Sequence, residues 1–324
     1  MAACHTLYPT FILGGEGTWF FMLAQAVDAP VVHYSDILNL RRPHYRLHPD
    51  LKLRTRSEAV RFVNDVGIAL LFPGDNLPLP DLWSAINGQE RRIPRHHHDW
   101  ALGKTWEWKD EIPSRKEAWY GKIIRGKPAF ISMQDLPAVY ALSPNYGELD
   151  DYLEAYADGL MSNEAKSVYE VLLAEGPLST SALRKAAGLG GGGDAARRFE
   201  RAIVELQADL KIVKSGTSDD NRWKYCYVYD ILLRWAPDLA EQARQYNSRT
   251  AMRHLVDRYL QSSIAAPAQL FPRLFGWDPG VTSRVIEEML QDGALRPIRT
   301  LGAPGLTPKS KPSAEGEVWV TRNA

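Results

Sequence analysis

The clearest hydrophobic pattern in the chain lies between residues 163 and 230. Asn163 precedes a run in which Ala165, Val168, Tyr169, Leu172 and Leu173 recur at helical spacing, closed by Gly176-Pro177. An N-cap amide and a terminal Gly-Pro bracket a helix. Leu178 reads as a brief extended link, and Ser179 or Thr180 caps a second helix bearing Leu183 and Ala186. The glycine-rich stretch 188–193 is a turn, and a third helix follows over 194–210. Its apolar residues, Phe199, Ile203, Leu206 and Leu210, are spaced four, three and four apart, one stripe at the helical period. Residues 211–214, a polar hairpin 215–221 and a return strand 223–229 complete the segment. Three helices followed by a two-stranded ribbon is the order of a winged helix-turn-helix.

The same order recurs more faintly near the C-terminus. Residues 251–260 and 267–275 read as helices, and Thr282 caps a third bearing Val285, Ile286, Met289 and Leu290, closed by Gly293. A strand over 295–299, a Pro/Gly-rich wing tip over 302–312 and a return at Val318-Trp319-Val320 follow. Upstream, Ser57 is expected to cap a helix through Val60, Phe62, Val63 and Val66, and Pro73, Gly74, Pro78 and Pro80 punctuate a loop before a short helix around 81–86. Trp106-Glu107-Trp108-Lys109-Asp110 alternates aromatic and charged residues as a half-buried strand does. A helix is expected to end near Gly126, followed by a strand over 128–132 and a short helix, opened by Ser132 or Gln134, through Tyr140. In the first thirty residues only a loop at 14–17 and an apolar, helix-like run at 19–26 stand out.

The expected class is α+β, mainly helical, with two or three winged helix-turn-helix domains in tandem. An N-terminal extension covers 1–54 and is basic toward its end; a diverged first winged-helix-like domain covers 55–150. The central domain covers 163–230 and the C-terminal one 250–324.

Composition narrows the function classes. A chain of 324 residues has room for two or three domains with cores of their own. Lys plus Arg equals Asp plus Glu, 39 each, so there is no global attraction to polyanions and any nucleic-acid site must be a local basic face. Cys4 and Cys226 cannot make a disulfide framework or a four-thiolate zinc site. Cys226, within the run Tyr225-Cys226-Tyr227-Val228-Tyr229, reads as a buried, inert thiol. No apolar stretch approaches the length of a membrane span. Residues 20–32 carry Gln25 and Asp28 without a basic start, a poor signal peptide, so a cytoplasmic protein without a membrane partner is expected.

Turning the stripe of the third central helix inward leaves Arg197, Arg198 and Arg201 outward. Arg is the side chain best suited to guanine edges and phosphates. Lys211, Lys214, Arg222 and Lys224 on the ribbon are placed to grip a flanking backbone. Lys122, Arg125 and Lys127 mark a second basic edge, and residues 33–61 a third, with Arg41, Arg42 and Arg46 among its cations. The run His96-His97-His98-Asp99 invites a metal reading, which His33, His44 and His48 would have to complete. Adjacent residues rarely converge on one ion, so no metal and no cofactor are expected. Gly190–Gly193 lacks the Lys-Ser/Thr pair of a phosphate-cradling loop.

One stretch, Tyr120-Gly121-Lys122-Ile123-Ile124-Arg125-Gly126-Lys127-Pro128-Ala129-Phe130-Ile131-Ser132-Met133-Gln134-Asp135-Leu136, resembles the basic-Gly strand and Asp-containing helix of the AlkZ/YcaQ-type winged-helix DNA glycosylases. Leu274-Phe275-Gly276-Trp277 followed by 281–290 fits the same order, and the resemblance spans residues 54–320. It implies three winged-helix units around a DNA channel, double-stranded DNA as partner, and hydrolysis of the N-glycosidic bond of a damaged base. In that family a Gln-x-Gln or Gln-x-Asp motif does the chemistry. Aligning 59–67 with the helix before it puts Ile68-Ala69-Leu70-Leu71-Phe72-Pro73 at the motif, where no Gln or Asp stands. Gln25-Ala26-Val27-Asp28 has the wrong spacing and lies too far upstream. No catalytic residue carries over. The expected function is DNA binding, in repair or genome maintenance, without the family's catalytic pair. The alternatives are a glycosylase using Asp99, Asp110 or Asp135, and a protein-interaction scaffold.

Overall fold

In the computed structural model, residues 28–74, 77–95, 98–221, 223–303 and 317–323 are described. The chain begins with β1 (Val31–His33), α1 (Tyr34–His44), α2 (Arg56–Val66), β2 (Ile68–Leu70), α3 (Leu82–Asn87), α4 (Trp100–Ser114), β3 (Ala118–Ile124), β4 (Lys127–Ser132) and α5 (Leu136–Tyr140). After α6 (Tyr152–Ala157) come α7 (Asn163–Glu175), β5 (Leu178–Ser179), α8 (Thr180–Ala186), α9 (Asp194–Ala208), β6 (Ile212–Ser218) and β7 (Cys226–Ile231). The last stretch holds α10 (Leu232–Trp235), α11 (Leu239–Ala243), α12 (Ser248–Ser263), β8 (Ala265–Ala266), α13 (Leu270–Phe275), α14 (Pro279–Gln291), β9 (Leu295–Leu301) and β10 (Glu317–Arg322). The architecture is mixed α+β. Among the described residues no helix is long and apolar enough to cross a membrane.

Three small sheets organise these elements, in the orders β2-β4-β3, β5-β7-β6 and β1-β9-β10-β8. All strand pairs are antiparallel except β1 with β9, where Val31 lies opposite Arg299 in a parallel pair. The first sheet is buried on both faces. Ala118, Tyr120 and Phe130 point to a cluster with Phe62, Trp83 and Trp108. Trp119, Ile124 and Ile131 point the other way, into a core shared with Leu210, Val213, Val256 and Phe271. The strand period of two thus sends alternate side chains into two different cores, and the β3–β4 hairpin becomes the element that all three parts of the chain pack around.

The helices start where their caps allow. A capping box joins Thr55 and Glu58 at the head of α2, so Thr55 rather than Ser57 is the cap. Ser162 rather than Asn163 caps α7, accepting from Ala165 N at 3.2 Å. Asp278 rather than Thr282 caps α14. Residues 106–110 are helical, not a strand. Ala101, Leu102, Thr105, Trp108, Lys109 and Ile112 form the buried stripe of α4, and five alternating residues are too few to reveal that period. Residues 118–124 form β3, where a helix had been expected to end near Gly126. Arg125 and Gly126 instead make the tight turn between Ile124 and Lys127, with φ of 50° and 72°. Two left-handed residues are what a type I′ hairpin turn requires. The loop at 14–17, the run at 19–26, most of the 302–312 wing tip and residues 25–27 of the Gln25 string lie outside the described residues. Cys226 is buried with its thiol free.

One buried carboxylate fastens the first sheet to α12. Asp135 accepts from Ser132 Oγ at 2.6 Å, from His254 Nε2 at 2.7 Å, and from Arg258 Nε and Nη2 at 2.9 and 3.1 Å. Arg258 Nη2 also reaches Asn64 O at 2.6 Å, at the end of α2. Gly67 closes that helix at φ 78°, and a Cβ there would meet Asp135 Oδ2 at 2.8 Å. Burial by itself raises the Asp135 carboxyl, and the bonds from His254, Arg258 and Ser132 outweigh it, so its pKa is held below the ordinary value. Removing one partner of such a pair strands the other charge. Asp135→Ala is therefore expected to cost about 3–5 kcal/mol, read as a lower urea midpoint. Since the folded pKa lies below the unfolded one, the contribution is complete above pH of about 4 and lost as pH falls through the folded value. The gap between wild type and variant should close in acid.

Candidate nucleic-acid interface

The three arginines expected to read DNA stand on the exposed face of α9. Arg197 Nη2 lies 3.5 Å from Asp194, and Arg198 pairs with Asp194 at 3.2 Å and Glu164 at 3.3 Å. Arg201 is exposed. Exposed pairs of this kind contribute little and exchange readily, so these guanidiniums can turn to phosphates. The far end of α9 is occupied: Gln207 is buried and its Oε1 accepts from Lys122 N at 3.1 Å on β3. The helix and the basic hairpin, separate in sequence, are therefore neighbours.

Lys122 is half-buried, while Arg125 and Lys127 are exposed around the hairpin turn. Arg125 Nη1 donates to Arg273 O at 3.3 Å, joining the turn to α13. A left-handed non-glycine residue costs roughly 1–2 kcal/mol, so this chain holds a cation at the turn against its own backbone preference. Lys224 is exposed near the tip of the β6–β7 hairpin, at φ 52°. Arg222, His96 and His97 lie outside the described residues. His98, His33, His44 and His48 are exposed, and no group of three or more His, Cys, Asp or Glu converges among the described residues.

Lys211 and Lys214 depart from the expectation of ribbon cations gripping a backbone. Lys211 is buried in an ion pair with Asp151. Lys214 is fully buried; its Nζ bonds Asp110 and donates to Lys109 O at 3.2 Å. It sits 4.5 Å from the Tyr227 ring and 5.5 Å from the Tyr120 ring. Its neighbour Lys109, also buried, donates to Tyr225 Oη, Tyr227 Oη and Asp110 at 2.7, 2.8 and 2.9 Å. Two ammonium groups thus share one carboxylate between α4 and the β6–β7 ribbon. Burial, then the charge of Lys109, pushes Lys214 down to about 8. Burial raises Asp110, but Lys214 and Lys109 outweigh it and leave the carboxyl below its ordinary value.

Residues 68–71, which the sequence reading aligned with the family motif, are apolar and buried. Ala69 and Leu70 lie in β2 opposite Phe130 and Ala129, and Leu71 is buried behind them. Asp99 caps α4 through Leu102 N at 3.0 Å and pairs with Arg91 at 2.6 Å. Asp110 and Asp135 are held by cations as described. All three lie below the ordinary carboxylate pKa, which leaves them ionised and poor proton donors. The carboxylate that the sequence did not single out is Asp81. It bridges to Leu70, caps α3 through Ser84 N at 2.7 Å, and is pushed up to about 6 by burial. It lies in the wall of a cleft of 750 Å³ beside α1. In the sequence it stood only at the start of a short helix, because its burial comes from distant segments.

Replacing Lys214 by Met should be neutral or stabilising, since Lys109 keeps Asp110 paired, whereas Asp110→Ala should cost about 3–5 kcal/mol. From pH 8 to 10.5 the unfolded chain holds a proton that folded Lys214 has lost, so its contribution to stability rises with pH. Urea titrations from pH 7 to 10 should show that rise in the wild type and less of it in Lys214→Met.

Among curated proteins none matches the chain. Among solved structures, the Streptomyces sahachiroi DNA glycosylase AlkZ is similar at 12% identity and a TM-score of 0.48, covering 83% of this chain and 68% of that one. The model of the family described as "AlkZ related" matches residues 53–276, more than half of the sequence and the whole span from α2 through the hairpin and α9 to the end of α13. The chain belongs to the AlkZ-related family.

Proposed function

We propose that this protein binds DNA through winged-helix units arranged in series, at 55–150, 163–230 and 250–324, and that it serves DNA repair. The observation that carries the reading is the junction between α9 and the β3–β4 hairpin. There Lys122 N meets the buried Gln207 near the end of α9, while the exposed Arg197, Arg198 and Arg201 stand nearer its start and Lys122, Arg125 and Lys127 on the hairpin. In a chain of zero net charge, two basic elements packed together supply the local field that a polyanion needs. Membership of the AlkZ-related family supports DNA as the polyanion. The buried apolar strand at Ile68–Leu70 supports binding rather than the family's usual chemistry.

Changing Arg197, Arg198 and Arg201 together to Ala should weaken binding to a fluorescent duplex and flatten its salt dependence. Each lost phosphate contact lowers the slope of log affinity against log salt by about 0.9. An unchanged slope would remove α9 from the interface.

Asp81 favours a second reading, base excision with a different acid. Its carboxyl, at about 6, lies beside Leu70 and in a cleft wall, where a raised carboxylic acid suits proton transfer. Incubation with duplex containing alkylated purines separates the two. The binding reading expects no abasic sites. Base release that is abolished in Asp81→Asn would establish excision instead.

A further inference from the structure

We infer that the outward side of residues 146–160 is a docking surface for another protein, one that presents a basic amphipathic helix. Its apolar part is exposed where a folded chain usually hides such groups. Five of the fourteen exposed large hydrophobic side chains among the described residues fall in this stretch: Tyr146, Leu149, Leu153, Tyr156 and Leu160. Single exposed apolar residues are ordinary, but a run of them marks a contact surface. Leu149, Leu153 and Tyr156 are spaced four and three apart, so they stand in one stripe along α6 and the turn before it. Tyr146 and Leu160, 70% and 68% exposed, close the stretch at its two ends.

The residues beside the stripe select the partner. Between Tyr146 and Ala165 the chain has six acidic residues, Glu148, Asp150, Asp151, Glu154, Asp158 and Glu164, and no Lys or Arg. Asp151 is buried against Lys211, and Glu164 pairs with Arg198. Glu148, Asp150, Glu154 and Asp158 are exposed and take part in no ion pair among the described residues. Asp150, Glu154 and Asp158 are four apart, a second stripe alongside the first. Four carboxylates without cations repel phosphates, so this side does not face DNA, and they repel an anionic membrane surface as well. A helix with a basic face and an apolar ridge matches both stripes at once: charge steers it in, and apolar contact holds it.

The surface is fixed before any partner arrives. Tyr152 and Ala155, on the inward side of α6, pack into the central core. Tyr146 N donates to Asp151 Oδ2 at 3.0 Å, and Tyr169 Oη donates to Leu149 O at 3.1 Å. After the turn at Gly159, Ser162 N and Oγ both donate to Glu205 at 2.7 Å, which ties the end of the stretch to α9. Tyr156 Oη donates to Asn163 Oδ1 at 2.6 Å, fixing the ring at the edge of the stripe. Lys166, whose Nζ lies 5.2 Å from that ring, is engaged by Glu170 at 2.6 Å and leaves the four acids uncovered. A stretch held at both ends loses little conformational freedom on binding, so most of the contact appears as affinity.

Fluorescence anisotropy of a labelled synthetic helix, with leucines along one face and lysines along the other, tests the surface on the full chain. The wild type should bind it at micromolar concentration, and more weakly as salt rises. The same helix with glutamates for lysines, and a scrambled one whose leucines share no face, should bind at least tenfold more weakly. Leu153→Ser combined with Leu160→Ser should lose about tenfold. Glu154→Lys combined with Asp158→Lys should lose severalfold, together with the salt dependence. Both double variants change exposed side chains and should unfold at the wild-type temperature. If the wild type shows no preference for the basic helix over the acidic and scrambled ones, the inference is overturned. So is it if both folded double variants bind unchanged. It is overturned too if sedimentation shows a wild-type dimer that the leucine variant dissociates, since the occupant is then a second copy of this chain. The inference does not rest on the DNA-binding reading: the α9 triple variant should bind the helix no more weakly than the wild type, whatever becomes of its duplex affinity.

Discussion

The carboxylate of Asp135 is the point on which the arrangement of the chain turns. It leaves the end of β4 with both oxygens occupied, one by the Ser132 hydroxyl and Arg258, the other by His254 and the same arginine. Arg258 carries the tie onward to the backbone of Asn64, so a single side chain sets the first sheet, α2 and α12 at fixed positions. The glycine at 67 is there because a side chain would occupy the place of the carboxylate. Once α12 is set, the segment that follows it, with the carbonyls of Ser263 and Ala265, is set too, and with it the place of Arg41, which donates to both. An interaction between charged groups thus fixes a geometry that apolar packing alone would leave free to slide, because a hydrophobic contact has no preferred direction.

The cations of this protein divide into two populations with different work. Lys109, Lys211, Lys214 and Arg41 are buried and belong to the junctions between its parts. Arg197, Arg198, Arg201, Arg125 and Lys127 remain at the surface. The division matters for any reading of function from charge. Of the ribbon lysines, Lys211 and Lys214 are spent on Asp151 and Asp110, so the basic character of the interface comes from the helix and the first hairpin instead. The aromatic residues follow the same logic: Tyr225 and Tyr227 surround Lys109 rather than facing a partner as a free row.

How much of this could be read from sequence depends on how local the cause is. The helices over Asn163–Glu175 and Asp194–Ala208 were legible because Phe199, Ile203 and Leu206 repeat at the helical period and because small polar caps and glycines mark the ends. Residues 106–110 misled because five residues can satisfy a period of two and still lie in a helix whose stripe is set by Ala101, Thr105 and Ile112. Residues 118–124 carry no alternation to betray a strand, since both faces are buried and both are apolar. Burial of Lys214, the raised pKa of Asp81 and the enclosure of Arg41 had no local signal at all. Each arises from segments brought in from far along the chain, as when Arg41 meets the carbonyl of Ser263, 222 residues away. The cluster of basic residues around Arg41 was visible, but which of them would be enclosed was not.

The parallel pairing of Val31–His33 with β9 has a consequence for the way the molecule comes into being. Its two strands lie roughly 270 residues apart, and closing so wide a loop costs entropy that grows with the logarithm of its length. During synthesis β1 leaves the ribosome long before β9 and β10 exist, so for most of translation it has exposed hydrogen-bonding edges and no sheet to join. The first and central sheets, made from nearby segments, can assemble as they emerge. The four-stranded sheet cannot close before β9 and β10 have been made, and its closing holds α1, and Arg41 with it, against α12. The enclosure of the Arg41 guanidinium therefore has to wait for segments made more than two hundred residues later.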